Sequence, residues 1–172
     1  MKKWTISRIE DFKLYIGDKV FSRLDSLTGA YSQAVFFRDF KKDNLYKYNY
    51  YIDLDNFKTI NEKLGPIKAS MCLSYYVEEL KAGLNKYSFR LYRFGGDEFI
   101  LSSRDKVNLT LFKQIYKFEK LHVSASAVSL NIGFHDRISL EEELSKGQLG
   151  LKRAKKIKRK DQRNKNYDLF VG

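Results

Sequence analysis

The sequence predicts a single domain that mixes strands with helices, and three stretches carry that prediction. Residues 48–55, YNYYIDLD, are a short apolar run ending in two carboxylates one residue apart. Residues 87–103, YSFRLYRFGGDEFILSS, place Phe89, Leu91, Phe99 and Leu101 at alternate positions on either side of Gly95 and Gly96, the pattern of two strands joined by a tight turn. Residues 67–84, IKASMCLSYYVEELKAGL, repeat apolar side chains at Met71, Leu73, Tyr76, Val77, Leu80 and Leu84, close to a helical period, and read as a core helix packed on the sheet. With 172 residues, 43% of them hydrophobic and 15% aromatic, there is material for one well-cored domain and not for two.

The strand and the hairpin also carry chemistry. Two glycines at a turn permit positive φ and let a ligand approach the backbone, and Asp97 and Glu98 follow them at once. Taken alone, this is equally an acidic surface turn. Alternate residues of a strand share a face, so Asp53 and Asp55 point the same way with Leu54 between them. Setting that strand beside the hairpin brings Asp53 close to Asp97, an all-oxygen cluster of the kind Mg²⁺ accepts when phosphates also hold it. Such a site suits two-metal phosphoryl transfer, in which the ions orient a hydroxyl and stabilise charge on the α-phosphate.

Three motifs in order, DSLTGAYSQAVF (25–36), IDLDNFKTINEKLG (52–65) and RFGGDEF (93–99), resemble the GGDEF domain of diguanylate cyclases, and the resemblance runs to about residue 170. It implies a palm-like α+β fold, ferredoxin-like in derivation, with a central, mostly antiparallel sheet flanked by helices. It divides the chain into an N-terminal helical segment, 1–24, and a nucleotidyl cyclase domain, 25–172. The implied reaction joins two GTP into cyclic di-GMP with release of two pyrophosphates, across a homodimer required for activity. The implied metal ligands are Asp53, the Leu54 carbonyl, Asp97 and Glu98, holding two Mg²⁺ or Mn²⁺. Asp97, Glu98 and Lys58 are the implied catalytic residues. Substrate would be held by Phe57, Lys58, Asn61, Ser70, Leu73, Gly95, Gly96, Lys155 and Arg159. Among these, Asn61 reaches the base edge, while Lys58, Lys155 and Arg159 reach phosphate; Arg163 and Asn164 offer a competing register for the last. The helix expected over 56–64 would aim its first backbone N–H groups at the same anion.

The sequence departs from the family pattern in places that matter. Where diguanylate cyclases use an Asp to pair with guanine, this chain has Ser70. A carboxylate accepts from both N1–H and the exocyclic amine of guanine, whereas a hydroxyl discriminates less. Ser70 therefore resembles the promiscuous branch that takes ATP as well as GTP and makes cyclic GMP-AMP, and strict GTP use stands beside it as the other reading. Lys86 and Phe89 stand at the ends of the usual Arg-x-x-Asp inhibition site, so feedback of that kind is not expected. Ser32 and Gln33 replace an Asn-Arg pair, and Asn131 replaces a Ser.

Elsewhere the readings are plainer. Residues 5–24 have mixed helical spacing and read as a cap on the core or a dimer-forming helix. A helix is expected over 32–41, another over 107–121, a central strand over 123–134, and a helix over 140–159 with Gly147 and Gly150 weakening its middle. Cys72 lies in an apolar stretch and reads as a core thiol. With no signal peptide or bilayer-spanning run, a cytoplasmic setting is expected. His122 and His135 have no acid or cysteine at ligand spacing and read as surface histidines. Nine Lys or Arg and one acid, Asp161, fall within 152–165, contributing heavily to the net charge of +12. That charge admits two other classes of function, a palm-like domain binding nucleic acid through its basic tail and a degenerate nucleotide sensor, but no stacking platform is evident and the acids are all present.

Overall fold

The computed structural model describes residues 23–119, 121–132 and 137–168, with side chains in the last segment described for 140–158. Its elements are α1 (Gln33–Lys41), β1 (Tyr48–Leu54), α2 (Phe57–Gly83), β2 (Phe89–Arg93), β3 (Glu98–Ser103), a 3₁₀ turn (Leu111–Lys113), β4 (Tyr116–Phe118), β5 (Leu121–Val123), β6 (Ala125–Leu130) and α3 (Arg137–Asp168). The main sheet has the order β2-β3-β1-β6, every pair antiparallel, and β4 with β5 forms a separate ribbon. The fold is thus the palm-like α+β arrangement, with helices covering both faces of the sheet. The expected N-terminal segment lies almost wholly outside the described residues.

Strand alternation builds two cores. Tyr50, Ile52, Leu54, Leu91, Phe99 and Leu101 pack with Cys72, Leu73, Tyr76, Val77 and Leu80 of α2 on one face. Tyr51, Tyr92 and Ile100 pack on the other with Val35, Phe36 and Phe37 of α1 and Leu140 and Leu151 of α3. Cys72 is fully buried, and burial pushes its thiol up to about 11, as a core thiol requires.

Two glycines expected to weaken α3 instead let it lie on the sheet. A Cβ at Gly147 would stand 2.6 Å from Leu130 Cδ2 and 2.9 Å from Tyr51 Cδ1, and one at Gly150 would stand 3.2 Å from Val128 Cγ1. In α2, Gly65 leaves the helical region at φ +77°. Pro66 explains the kink, since it lacks an N–H and disfavours helical geometry in the residue before it. The two helices expected on either side of it are both present, and they meet at this kink.

The helix expected over 107–121 does not form. That stretch holds the 3₁₀ turn and the β4–β5 ribbon, because Tyr116, Phe118, Leu121 and Val123 put their rings and branches on the α2-side core with a period of two, while Lys117 and His122 face outward. Glu119 turns the ribbon at φ +52°. The strand expected over 123–134 is shorter, and among the described residues it lies at the edge of the sheet rather than in its centre, pairing there with β1 alone.

Candidate active site

The acids meet because of register. The carboxyl end of β1 lies between β3 and β6, with Asp53 opposite Glu98 on one side and Ser126 on the other. The Leu54 N–H donates to the Asp97 carbonyl at 3.2 Å, and α2 starts three residues later. Asp53, Asp97 and Glu98 consequently sit at one end of the sheet. Burial pushes the Asp53 carboxyl up to about 6, against the pull of the Lys155 ammonium, and Asp97 and Glu98 add to the rise. Burial likewise raises Glu98, with Tyr51 and Lys155 opposing and Asp97 adding.

The glycines serve this site otherwise than by positive φ, which neither Gly95 nor Gly96 adopts. Four residues, 94–97, separate the strands, and the N–H groups of Phe94 and Gly95 both donate to the Glu98 carbonyl, at 2.8 and 3.1 Å. A loop of that length turns without the mirror-image geometry that a two-residue turn demands. What Gly95 provides is space: a Cβ there would lie 2.6 Å from Glu98 Oε2. Gly96 faces open surroundings, with no atom within 4 Å of a Cβ placed on it.

Two lysines one turn apart on α3 reach the two aspartates of β1 and its following turn. Lys155 Nζ donates to Asp53 Oδ1 at 2.5 Å and to the Leu54 carbonyl at 2.7 Å. Lys158 Nζ donates to Asp55 Oδ2 at 2.5 Å and to Ser124 Oγ at 2.8 Å. Asp55 also accepts from Ser124 Oγ at 2.8 Å and Ser126 Oγ at 2.7 Å. Although burial opposes it, these donors hold the Asp55 carboxyl below the ordinary value. Lys158, Ser124 and Ser126 were not foreseen from the sequence. The signal was the spacing of Lys155 and Lys158 on a helix, which offers one ammonium to each of Asp53 and Asp55.

The donor set suits a hard cation. Among the described residues no group of three or more His, Cys, Asp or Glu converges at ligand distance. The Lys155 ammonium nevertheless rests on Asp53 Oδ1 and the Leu54 carbonyl, two of the oxygens expected to bind metal, so this corner accepts positive charge. With Asp97 and Glu98 beside it, the chemistry fits Mg²⁺.

A brace behind the loop was also missed. Arg93 Nη1 donates to both carboxylate oxygens of Asp25, at 2.9 and 3.0 Å, Nη2 to the Gly96 carbonyl at 2.8 Å and Nε to the Gly95 carbonyl at 3.3 Å. Asp25 in turn accepts from the Thr28 N–H and hydroxyl at 2.9 and 2.7 Å.

The other expected substrate residues lie along α2. Phe57 is half-buried against the core at its first turn, Asn61 is exposed, Ser70 is half-buried beyond the kink, and Leu73 is buried in the core. Lys58 has a side chain 91% exposed and stands 3.8 Å from Glu62. The side chains of Arg159, Arg163 and Asn164, and all of His135, lie outside the described residues. His122 is exposed, and no described helix is long and apolar enough to cross a membrane.

The family model described as "Diguanylate cyclase, GGDEF domain" matches residues 22–140. No curated protein matches the sequence. Among solved structures, the FimX GGDEF domain of Pseudomonas aeruginosa is similar at a TM-score of 0.61 and 13% identity, over 79% of this chain and 95% of that one. The GGDEF domain of DgcB from Caulobacter crescentus, in complex with c-di-GMP, is similar at 0.61 and 14% identity, over 81% and 93%. The diguanylate cyclase SiaD of Pseudomonas aeruginosa, in complex with its activator SiaC, is similar at 0.58 and 18% identity, over 86% of this chain and 64% of that one. At these identities the likeness is one of fold.

Proposed function

The chain belongs to the GGDEF domain family, and from that membership we propose that it is a cyclic dinucleotide synthase joining two nucleoside triphosphates, two GTP in the first instance, into cyclic di-GMP. The observation that carries the proposal is the meeting of Asp53, Asp97 and Glu98 at the end of β1, where the Leu54 carbonyl and Asp53 already hold a cationic group.

In each half-reaction the 3′-hydroxyl oxygen of one nucleotide forms a bond to the α-phosphorus of the other. The bond from that phosphorus to the β-bridging oxygen breaks, and pyrophosphate leaves with its electron pair. Asp53, the Leu54 carbonyl, Asp97 and Glu98 would hold Mg²⁺, which when bound would supply charge stabilisation at the α-phosphate and lower the pKa of the attacking hydroxyl. Asp97 accepts the hydroxyl proton. Lys58, exposed beside the first turn of α2, and Lys155 neutralise the triphosphate, with Arg159 continuing the same helix. Phe57 and Leu73 shape the wall, Asn61 and Ser70 meet the base, and Gly96 leaves open room beside the acids. Each subunit brings one nucleotide, so a homodimer is the active form.

Ser70 supports a second reading within this chemistry, use of ATP together with GTP. Incubating the purified chain with Mg²⁺ and GTP, ATP or both, and identifying products by mass spectrometry, tests both readings. Cyclic di-GMP alone supports the first; cyclic GMP-AMP from the mixture, lost in Ser70→Asp, supports the second. Absence of any cyclic product at dimerising concentrations refutes synthesis, whereas full turnover by Asp97→Asn would remove the metal and base roles given to Asp97.

A further inference from the structure

We propose that Tyr51 is a positioning residue for Glu98: its buried hydroxyl, itself oriented by Gln148 of α3, aims the carboxylate into the acidic corner where a divalent cation would bind. The inference rests on the reading of Asp53, the Leu54 carbonyl, Asp97 and Glu98 as cation ligands.

Register brings the two side chains together. In the β1–β3 pair Asp53 stands opposite Glu98 and Tyr51 opposite Ile100. Opposed residues share a face, as do residues two apart on one strand, so all four lie on one face with Glu98 on the diagonal from Tyr51. An aromatic side chain spans such a diagonal, and the Tyr51 hydroxyl hydrogen-bonds the Glu98 carboxylate. Glu98 Oε2 lies beside Gly95, 2.6 Å from where a Cβ would stand. The adjoining Phe94 sets its ring edge-on to that of Tyr51, with centroids 5.8 Å apart.

The ring is held from above as well. Tyr51 is fully buried, and a Cβ at Gly147 would stand 2.9 Å from its Cδ1, so the glycine lets α3 settle directly on the ring. The next residue, Gln148, donates from Nε2 to the Tyr51 hydroxyl oxygen at 3.2 Å. A phenol accepts on its oxygen and has one proton to give, so Gln148 leaves that proton for Glu98. Burial, with the charges of Glu98 and Asp53, pushes the Tyr51 pKa far above its ordinary value and keeps the proton in place. Helix α3 therefore reaches both of the facing acids. Lys155 holds Asp53 directly, and Gln148 reaches Glu98 through Tyr51.

Hydrogen bonds of this kind fix the direction in which a ligating carboxylate points, and losing one typically costs about 10–100-fold in metal affinity. Titrating the full chain with Mn²⁺ in the absence of nucleotide, followed by electron paramagnetic resonance, tests the proposal. Tyr51→Phe keeps the ring and removes the hydroxyl; it should melt cooperatively and bind Mn²⁺ about tenfold more weakly. In a Glu98→Gln background the same step should change Mn²⁺ affinity by less than about twofold, because no charged carboxylate remains to be aimed. Gln148→Leu, which leaves Tyr51 in place, should lose about threefold, again only while Glu98 is present.

Unchanged Mn²⁺ affinity in both Tyr51→Phe and Gln148→Leu, while Asp53→Asn abolishes binding, would overturn the positioning role and leave the cation site standing. A loss that persists undiminished in Glu98→Gln would also overturn it, making Tyr51 a support of the fold alone. A wild-type chain that binds no Mn²⁺ would overturn the cation reading and this inference with it. The coupled loss in a chain that makes no cyclic product would uphold the role of Tyr51 and refute the synthesis alone.

Discussion

Arg93 and Asp25, 68 residues apart in sequence, are joined by one guanidinium nitrogen that reaches both carboxylate oxygens, at 2.9 and 3.0 Å. The remaining guanidinium nitrogens hold the Gly95 and Gly96 carbonyls, so the pair fixes the acidic loop to the turn that opens the domain. The side chains are 19% and 23% exposed, sheltered enough for the bond to matter. Arg93→Ala should lower unfolding free energy in urea by about 2 kcal/mol. A double-mutant cycle with Asp25→Ala should give a coupling above about 1 kcal/mol; additive losses would show that the pair braces nothing.

The same pair predicts an acid limb. Burial works against the Asp25 carboxylate, but Thr28 and Arg93 outweigh it and hold its native value below 3.8. The unfolded chain therefore takes up this proton first as pH falls. The stability involved is fully present above the ordinary value and is lost as pH drops through the lowered native one. Wild type should exceed Asp25→Asn in urea midpoint at pH 7, and the gap should shrink below about pH 4. A gap constant from pH 7 to pH 3 would remove Asp25 as its cause.

Adjacent glycines should respond oppositely to alanine. At Gly95 the new Cβ meets Glu98 Oε2 at 2.6 Å, whereas at Gly96 it meets nothing within 4 Å. Glu98 is a flexible side chain that can swing away, so Gly95→Ala should keep its melting temperature within a few degrees and lose product formation by about tenfold or more. Gly96→Ala should fold as wild type. Equal turnover in wild type and Gly95→Ala would show that the position of Glu98 is immaterial.

How much of this was legible depends on how local each signal is. Asp53, Asp97 and the hairpin were readable because strand period and a two-glycine turn are short-range patterns. The β4–β5 ribbon was not: Tyr116, Phe118 and Leu121 are separated by spacings that fit a helix nearly as well as a two-period strand, and only the α2-side core decides between them. Gly147 read as a helix breaker because its sequence neighbours say nothing of Tyr51 and Leu130 above it. Arg93 to Asp25 and Lys158 to Asp55 span 68 and 103 residues, distances at which sequence pattern carries no pairing information.

Lys155 gives the prediction that bears most directly on the site. Its ammonium sits on Asp53 Oδ1 and the Leu54 carbonyl, oxygens that a divalent cation would also use. Lysine and metal should therefore compete, and removing the lysine should leave Asp53 a partly buried acid without its counter-ion. Lys155→Met should be less stable than wild type at neutral pH, by about 1–3 kcal/mol, with Mn²⁺ binding about five- to tenfold tighter. Thermal melts with and without millimolar Mn²⁺ separate the two effects, because a ligand that binds only the folded state raises the melting temperature further the tighter it binds, with the logarithm of its affinity. The Mn²⁺-induced rise should be larger in Lys155→Met than in wild type, and it should vanish when Asp53→Asn is added to the variant. Equal rises in all three chains would place the cation elsewhere and leave Lys155 as a structural tie between α3 and β1.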